Sequence, residues 1–186
     1  LATFRAAQSA NVPTPRFWTP HSMDDVHAIR DELVFPLILK PLMSHHFQQH
    51  FRKKYFLAHD FAELESRYRQ VDEVGLVVKL VEKVPSPDHR LCSYYTYLDE
   101  VGEPLFDFTK RVVRRHPPNM GMGAYHIVDD VPNIRELALR LFRKVGVRGM
   151  ANAEFILDER DGQLKLIECN LRFTATNELI AKSGLD

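Results

Sequence analysis

The clearest alternation of apolar and polar positions lies between residues 150 and 173. Two runs typical of β-strands flank Asp161-Gly162, a dipeptide common in tight hairpin turns. In each run the side chains alternate between the two faces of the strand, so Glu154 belongs to one face of the first run and Glu168 to one face of the second, and the register of the pair decides whether they meet. If the two runs pair in a symmetric register, Glu154 lies directly across from Glu168.

This opposition has a chemical interpretation. Like charges that face each other across a ladder destabilise a sheet by up to about 1 kcal/mol, and an unpaired carboxylate in an internal strand costs several kcal/mol. Asn170 and Arg172 follow Glu168 at i+2 and i+4. Two carboxylates and an amide oxygen suit a hard divalent cation such as Mg²⁺, and the arginine could hold a phosphate that shares the metal. The alternative is an exposed hairpin whose acidic residues face water.

Helical periodicity and capping residues predict helices in other parts of the chain. A first helical pattern ends at residues 11–15, which contain two prolines. Ser22 with Asp25, and Asp60 with Glu63, have the spacing of helix-capping pairs. The strongest amphipathic stripe begins at residue 134 and ends at Gly146, and a C-terminal helix is predicted from about residue 177.

Short apolar runs predict the remaining strands, at residues 35–41, 53–58 and 76–81. Residues 91–98 and 105–115 are expected to pair as antiparallel strands around a turn at 99–104. The segment 42–51 is predicted to be a loop, and the prolines and glycines of residues 117–123 predict a second, flexible loop.

Lys40 lies where the first of these strands opens into the predicted loop. An ammonium group there is a plausible phosphate ligand, although a lysine that merely extends into solvent is the simpler interpretation. Lys54 is a weaker candidate for the same role. His45, His46 and His50 do not have the spacing of a recognised metal site.

Two further segments have candidate chemistry. Residues 82–88 interrupt a strand with two prolines, so their backbone groups could pair with a flat heterocycle, or the segment could be only a linker. The strand that follows contains a basic patch. Alternation turns only some of its side chains inward, and Arg111 is the one we expect to contact an anion. The patch comprises Lys110, Arg111, Arg114, Arg115 and His116.

Composition excludes several classes of protein. The 186 residues include 25 basic and 25 acidic residues, and 45% are hydrophobic, which is typical of a globular domain and not of a disordered or broadly basic protein. Cys92 and Cys169 are too few for a disulfide framework or a zinc site. No apolar run approaches a membrane span and no signal peptide is evident, so we expect a cytoplasmic protein. Because the chain lacks an initial methionine and begins in a predicted helix, we expect a fragment of a longer protein.

The order of these features resembles the ATP-grasp superfamily, and within it the carboxylate–amine ligase-like members. The resemblance rests on the Lys-Pro strand end, EKVPSPD, the basic strand, the amphipathic helix and NAEF…DG…LIECNLRF. It implies an α+β fold of two lobes whose antiparallel sheets clasp a nucleotide. Residues 1–20 would then be a remnant of an upstream part, residues 21–84 the small lobe, and residues 85–186 the large lobe with the metal site.

The resemblance also assigns roles to individual residues. ATP would be the cofactor together with Mg²⁺, or with Mn²⁺ in its place. Residues 43–52 would be the phosphate loop, here without a glycine. The implied contacts are Lys40, Ser44 and Lys54 for the phosphates; Glu82, Lys83 and Val84 for the adenine; Asp88 for the ribose; Glu154, Glu168 and Asn170 for the metal; Arg111 for the transferred phosphate; and Arg172 for the acyl-phosphate region.

The implied activity is the ligation of a small-molecule carboxylate to an amine, or to a thiol, through an acyl phosphate. Two alternatives belong to other classes. One is a nucleotide-binding domain without catalysis. The other is an RNA-binding module in which Tyr94, Tyr95 and Tyr97 stack on bases beside the basic patch, although zero net charge counts against it.

Overall fold

The computed structural model describes residues 2–174, 177–182 and 184. The chain divides into two compact units. The first comprises Pro15–Val84, and the second comprises Ala2–Thr14 together with the chain from Pro85 onward. Residues 2–14 are therefore part of the second unit, and their origin as a remnant of an upstream part stays a prediction. The assignment of the two units to the small and large lobes of the family stays a prediction.

A four-stranded antiparallel sheet forms the first unit. Its strands are β1 (Phe17–Trp18), β2 (Leu37–Pro41), β3 (Phe56–Ala58) and β4 (Val78–Glu82), in the order β1-β4-β2-β3. One face packs against the helices α2 (Met23–Ala28), α3 (Ser44–Phe51) and α4 (Phe61–Asp72). Leu37, Leu39 and Leu80 are fully buried on that face, so the side chains between them in sequence belong to the opposite face.

The predicted capping pairs start α2 and α4. The Ser22 hydroxyl accepts a hydrogen bond from the Asp25 amide at 3.1 Å, and the Asp60 carboxylate accepts one from the Glu63 amide at 2.8 Å. Glu63 returns the interaction by accepting from the His59 amide at 2.8 Å. Local sequence alone therefore determines where these two helices begin.

The prediction of a loop over residues 42–51 is wrong, because Ser44–Phe51 form the helix α3. Phe47 and Phe51 are one helical turn apart, and both rings contact Phe56, at centroid distances of 5.0 and 4.8 Å. The segment also contains no glycine or proline to interrupt a helix. Burial of this aromatic pair against β3 outweighs the polar composition of the segment.

A five-stranded antiparallel sheet forms the second unit. The strands β5 (Leu91–Leu98), β6 (Pro104–His116), β7 (Met122–Val128), β8 (Gly149–Asp158) and β9 (Gln163–Asn170) lie in the order β7-β6-β5-β8-β9. Helices α1 (Ala2–Ser9) and α5 (Ile134–Val145) cover one face, and a short helix α6 (Asn177–Lys182) follows β9. Gly146 ends α5 in the left-handed conformation, as the sequence predicted.

The flexible loop predicted over residues 117–123 is shorter than expected, because β7 begins at Met122 and pairs with His116. Gly123 fits this strand for a steric reason. A β-carbon at that position would lie 2.3 Å from the imidazole of His126, so the closely packed ring requires glycine. No helix in the described part of the chain is long and apolar enough to cross a membrane.

The turn between β8 and β9 contains a fully buried carboxylate, Asp158. It accepts hydrogen bonds from the Arg160 guanidinium, at 2.6 and 2.9 Å, and from the Arg160 amide, and it forms an ion pair with Lys165. The guanidinium first, and then the Lys165 ammonium, hold the pKa of the Asp158 carboxyl well below its usual range.

We therefore predict that Asp158→Asn lowers the free energy of unfolding at pH 7 by about 2 kcal/mol, measured by urea unfolding. A carboxylate with a depressed folded-state pKa contributes stability that is present above its unfolded pKa of about 3.9 and is lost as the pH falls below that value. The difference between the native protein and the variant should shrink from pH 5 to pH 2. A difference that stays constant over this range would contradict the account.

Candidate functional site

The paired strands β8 and β9 bring the predicted metal ligands together. Glu154 lies directly opposite Glu168, and Asn152 lies directly opposite Asn170. The opposition of the two glutamates that alternation predicted is therefore present. Within this hairpin, Glu154 and Asn170 are half-buried and Glu168 is exposed.

A β-bulge produces this register. Near the turn, Asp158 pairs with Gln163 and Phe155 pairs with Leu166, but the register shifts by one residue between Phe155 and Glu154. Without that shift, Glu154 would face Ile167, and Glu168 would lie on the other face of the sheet. A bulge at such a position re-aims the side chains beyond it. The hydrophobic pattern contains no signal for it.

The candidate face of the sheet extends from β8 onto β5 and β6. Ser93 of β5 lies across from Glu154 on one side and from Lys110 on the other. Tyr95 is the next residue on the same face, and it lies across from Asn152 and Phe108. The opposite face packs under α1 and α5, so the functional candidates share the face that these two helices leave uncovered.

The expectation that alternation turns Arg111 toward the other candidates is wrong. Arg111 pairs with Cys92, whose side chain belongs to the core beneath α5, so Arg111 lies on the helix-covered face. Its Nε donates to the Asp129 carboxylate at 2.5 Å, and its Nη1 donates to the His89 carbonyl at 3.2 Å. The error arises because alternation alone does not determine which side chains of β6 lie on which face of the sheet. Only the pairing register with β5 determines this.

Lys110 is the basic residue that lies on the candidate face. It is buried, with its Nζ 5.2 Å from the centroid of the Tyr95 ring and 3.3 Å from Nδ1 of His126. Burial, together with the neighbouring ammonium, lowers the pKa of His126. The imidazole therefore stays neutral more readily and leaves Lys110 as the local positive charge.

The end of β9 forms a chain of polar contacts. Asn170 Nδ2 donates to Glu168 Oε1 at 3.3 Å, and Arg172 Nη2 lies 3.5 Å from Asn170 Oδ1. Arg172 also donates to the Phe173 carbonyl at 3.0 Å, and its side chain is exposed. The three predicted residues of this strand therefore lie side by side.

These donors fit Mg²⁺, because all of them are oxygens and two carry charge. Within the described residues, no three His, Cys, Asp or Glu side chains are close enough together to form a metal site by themselves. Glu154, Glu168 and Asn170 are therefore candidates for only part of an octahedral shell. Mg²⁺ commonly completes such a shell with water and with phosphate oxygens of the substrate.

Asn152 is a candidate that the sequence analysis did not select. It is fully buried on the same face, and its Nδ2 donates to the Tyr94 carbonyl at 3.3 Å. Its Oδ1 has no hydrogen-bond partner in the part of the chain that is described. A buried acceptor without a donor is costly, so this oxygen is suited to a bound water or ligand group. The Asn-x-Glu spacing of residues 152 and 154 was the available signal.

Three predicted phosphate ligands belong to the first unit. Lys40 lies on the sheet face opposite α2 and α4, because its neighbour Leu39 packs beneath the helices. Ser44 is the first residue of α3, where main-chain amides lack partners within the helix. Lys54 lies between α3 and β3 and is exposed. The predicted phosphate loop is therefore a helix N-terminus, which can also bind anions.

The predicted adenine-binding segment is partly occupied by contacts within the first unit. The Glu82 amide donates to the Arg16 carbonyl at 2.9 Å, and the Glu82 carboxylate accepts from the Arg16 amide at 3.3 Å. The Lys83 amide donates to the Pro36 carbonyl at 2.9 Å. Of the three amides in the segment, these contacts leave that of Val84 as the candidate donor to a base.

Asp88, the predicted ribose contact, forms structural interactions in the second unit. Its carboxylate accepts from the Asn119 amide at 2.9 Å and lies 3.6 Å from Nε of Arg115. These contacts tie the turn at residues 88–90 to the connection between β6 and β7. The role of Asp88 at a ribose stays a prediction.

Comparison with known proteins agrees with this geometry. The family model described as the carbamoyl-phosphate synthase L chain, ATP binding domain, matches residues 127–184, which include α5, β8 and β9. D-aspartate ligase of Enterococcus faecium (strain Aus0004) is 26% identical over 167 residues, which are 82% of this chain and 38% of that protein.

Two solved structures share the fold over almost the whole chain. N5-carboxyaminoimidazole synthetase from Staphylococcus aureus superposes with a TM-score of 0.71 at 13% identity, and the match covers 96% of this chain and 45% of that one. Biotin carboxylase from Campylobacter jejuni, in a β,γ-ATP complex, superposes with a TM-score of 0.70 at 15% identity, covering 96% and 41%.

Residues 127–184 are thus similar in sequence to an ATP-binding domain, and the chain shares the fold of these solved structures over almost its whole length. The α+β fold with two antiparallel sheets, which the sequence predicted, is confirmed, and the matches agree with the predicted resemblance to the ATP-grasp superfamily. The chain spans less than half the length of each of these three relatives.

Cys169 lies on β9 between Glu168 and Asn170, but its side chain packs toward the core. Burial raises the pKa of its thiol to about 12, and it does the same for Cys92. We predict that neither thiol of the folded protein reacts appreciably with a disulfide reagent at pH 8, whereas both react at once in concentrated urea. Rapid labelling of Cys169 in the folded protein would contradict this placement.

Proposed function

We propose that this ATP-grasp chain is the nucleotide- and metal-binding part of a ligase that joins a small-molecule carboxylate to an amine, or to a thiol, through an acyl phosphate. The observation that carries the proposal is the opposition of Glu154 and Glu168, with Asn170 beside them, on one face of the second sheet. The family model for an ATP-binding domain and the similarity to D-aspartate ligase support it.

Glu154, Glu168 and Asn170 would hold the metal. Bound Mg²⁺ would neutralise phosphate charge and orient the terminal phosphates of ATP. Mn²⁺ has similar ligand preferences and is a reasonable substitute. Asn152 lies two residues along β8 from Glu154, on the same face, and its Oδ1, which has no partner among the described residues, is suited to a water of the metal shell.

The chain's own cations would stabilise charge on the transferred group. Lys110 takes the role expected of Arg111, because Lys110 shares a sheet face with Glu154 while Arg111 pairs with Asp129 on the other face. Arg172, next to Asn170, would steady the acyl-phosphate oxygens. These are positioning and electrostatic roles and require no covalent step on the protein.

The proposed chemistry balances in two steps. An oxygen of the substrate carboxylate attacks the γ-phosphorus of ATP, the bond from that phosphorus to the β-bridging oxygen breaks, and ADP leaves. The amine then attacks the acyl carbon, inorganic phosphate leaves, and the nitrogen loses a proton. The first unit would bind the nucleotide through Lys40, the N-terminus of α3 and the Val84 amide, with Lys54 as a further phosphate contact.

The geometry argues against RNA stacking on the tyrosine-rich strand. Tyr94 and Tyr95 are buried, and Tyr95 already stacks on Phe108 with ring planes 10° apart. Tyr97 is 40% exposed, so it alone among these three offers a ring to a base. A sheet that stacks several bases needs several exposed rings.

A thermal-shift titration with ATP, with and without Mg²⁺, tests the proposal. Ligand at about 100 times its dissociation constant adds roughly 2.7 kcal/mol of stability, which corresponds to a shift of a few degrees for a protein of this size. We expect a Mg²⁺-dependent shift in the native chain that is lost in Glu154→Gln and in Glu168→Gln.

Glu100→Gln, in the exposed turn between β5 and β6, is the matched control and should keep the full shift. A shift that is independent of Mg²⁺, or that is retained in both glutamine variants, would contradict the metal site. Absence of a shift in the native chain would contradict nucleotide binding by this chain.

A further inference from the structure

Three exposed histidines lie on the helix α3, at positions 45, 46 and 50. In a loop, their spacing would have no fixed geometry. In a helix, His46 and His50 are four residues apart, so their side chains lie on the same face, one turn apart. The helix therefore gives this pair a spatial relation that the expected loop did not.

The packing of α3 determines where that face lies. Phe47 and Phe51 are also four residues apart, and both rings pack against Phe56 of β3. His46 and His50 each directly precede one of these phenylalanines, so the two histidines form a second stripe, rotated by about 100° from the buried one. This stripe is in solvent, where an ion can reach it.

The geometry of the pair suits chelation. The β-carbons of helical residues one turn apart are about 5–6 Å apart, and two nitrogens bound side by side to one metal ion are roughly 3 Å apart. Exposed imidazoles reach that separation by rotation about their side-chain torsions. Two histidines at i and i+4 of a helix are a known arrangement for holding Zn²⁺.

The chemistry of the donors selects the class of metal. Imidazole nitrogen suits Cu²⁺, Ni²⁺ and Zn²⁺, whereas Mg²⁺ prefers oxygen. His50 lies in the last turn of α3, where the helix dipole favours a positive charge. Arg52, Lys53 and Lys54 follow the helix and oppose a cation, but they are exposed, so water and salt screen the repulsion.

We propose that His46 and His50 form a chelating site for a transition-metal ion of this class. Among the described residues, no third His, Cys, Asp or Glu side chain joins them in a cluster, so water would complete the coordination. The site belongs to the first unit and uses nitrogen donors, whereas the proposed Mg²⁺ site belongs to the second unit and uses oxygens. It does not depend on the proposed binding of ATP.

Calorimetric titration of the whole chain with Ni²⁺ tests the site. We expect one tightly bound Ni²⁺ per chain, and at least about tenfold weaker binding in His46→Gln and in His50→Gln, because each variant loses the advantage of two linked donors. Electron paramagnetic resonance of bound Cu²⁺ should show two nitrogen ligands in the native chain and fewer in either variant.

The matched controls are two other exposed histidines. His45→Gln changes the neighbouring residue on the same helix, and His59→Gln changes a residue between β3 and α4. Both should keep the native affinity for Ni²⁺ to within about twofold, and excess Mg²⁺ should not displace the ion. Circular dichroism and the melting temperature of each variant establish that it is folded.

Three results would overturn the inference. One is the absence of tight Ni²⁺ binding by the native chain, and another is equal affinity in the native chain and in either glutamine variant of the pair. The third is a loss in His45→Gln with full affinity in His50→Gln, which would assign the ion to the two adjacent histidines, whose ring centroids are 4.0 Å apart. None of these results bears on the proposed function.

Discussion

Two carboxylates that face each other across a sheet ladder repel, and Glu154 and Glu168 are held in that arrangement by the β8–β9 pairing. The surrounding structure makes the arrangement possible. Asp158 anchors the turn that joins the strands. The bulge between Glu154 and Phe155 determines which residues of β8 and β9 face each other farther from the turn. The hydrogen bond from Asn170 places a third oxygen-bearing side chain beside the pair. Repulsion that would weaken an ordinary hairpin becomes useful once a divalent cation occupies the same face.

The same division of faces recurs in both units. In each sheet, one face buries apolar side chains against helices, and the other carries the charged candidates. Lys110 and Glu154 lie on the face of the second sheet opposite α1 and α5, and Lys40 and Lys79 lie on the face of the first sheet opposite α2 and α4, because strand alternation leaves them no other position. Residues next to them in sequence have structural tasks: Arg111 pairs with Asp129, and Leu39 and Leu80 fill the core. A shift of one position in either sheet would exchange these roles.

Much of the fold follows from local sequence. The capping pairs at Ser22 and Asp60, the stripe of α5 with its terminal Gly146, and the hairpin around residues 159–162 depend on neighbours in the chain, so the sequence predicts them. The α+β fold was likewise accessible, because the order of the motifs indicates it, whereas the opposition of the two glutamates that the sequence analysis expected depends on a bulge that the hydrophobic pattern does not signal.

The errors have a common physical origin in contacts between distant segments. The helix α3 forms because two of its phenylalanines pack against Phe56, and polar composition alone suggested a loop. The start of β7 depends on a long partner strand. Whether Lys110 or Arg111 lies on the candidate face depends on the register with β5. The amides of Glu82 and Lys83 are excluded as donors to the adenine because they already donate to the carbonyls of Arg16 and Pro36. Propensity and periodicity do not contain this information.

The central claim is that Glu154 and Glu168 share one metal ion. A crystal structure of the chain with ADP and Mn²⁺, with the metal located by its anomalous scattering, tests it most directly. We expect one metal ion that is coordinated by carboxylate oxygens of both glutamates and by a phosphate oxygen of the nucleotide. Bound nucleotide whose metal is held without Glu154 and Glu168 would contradict the claim.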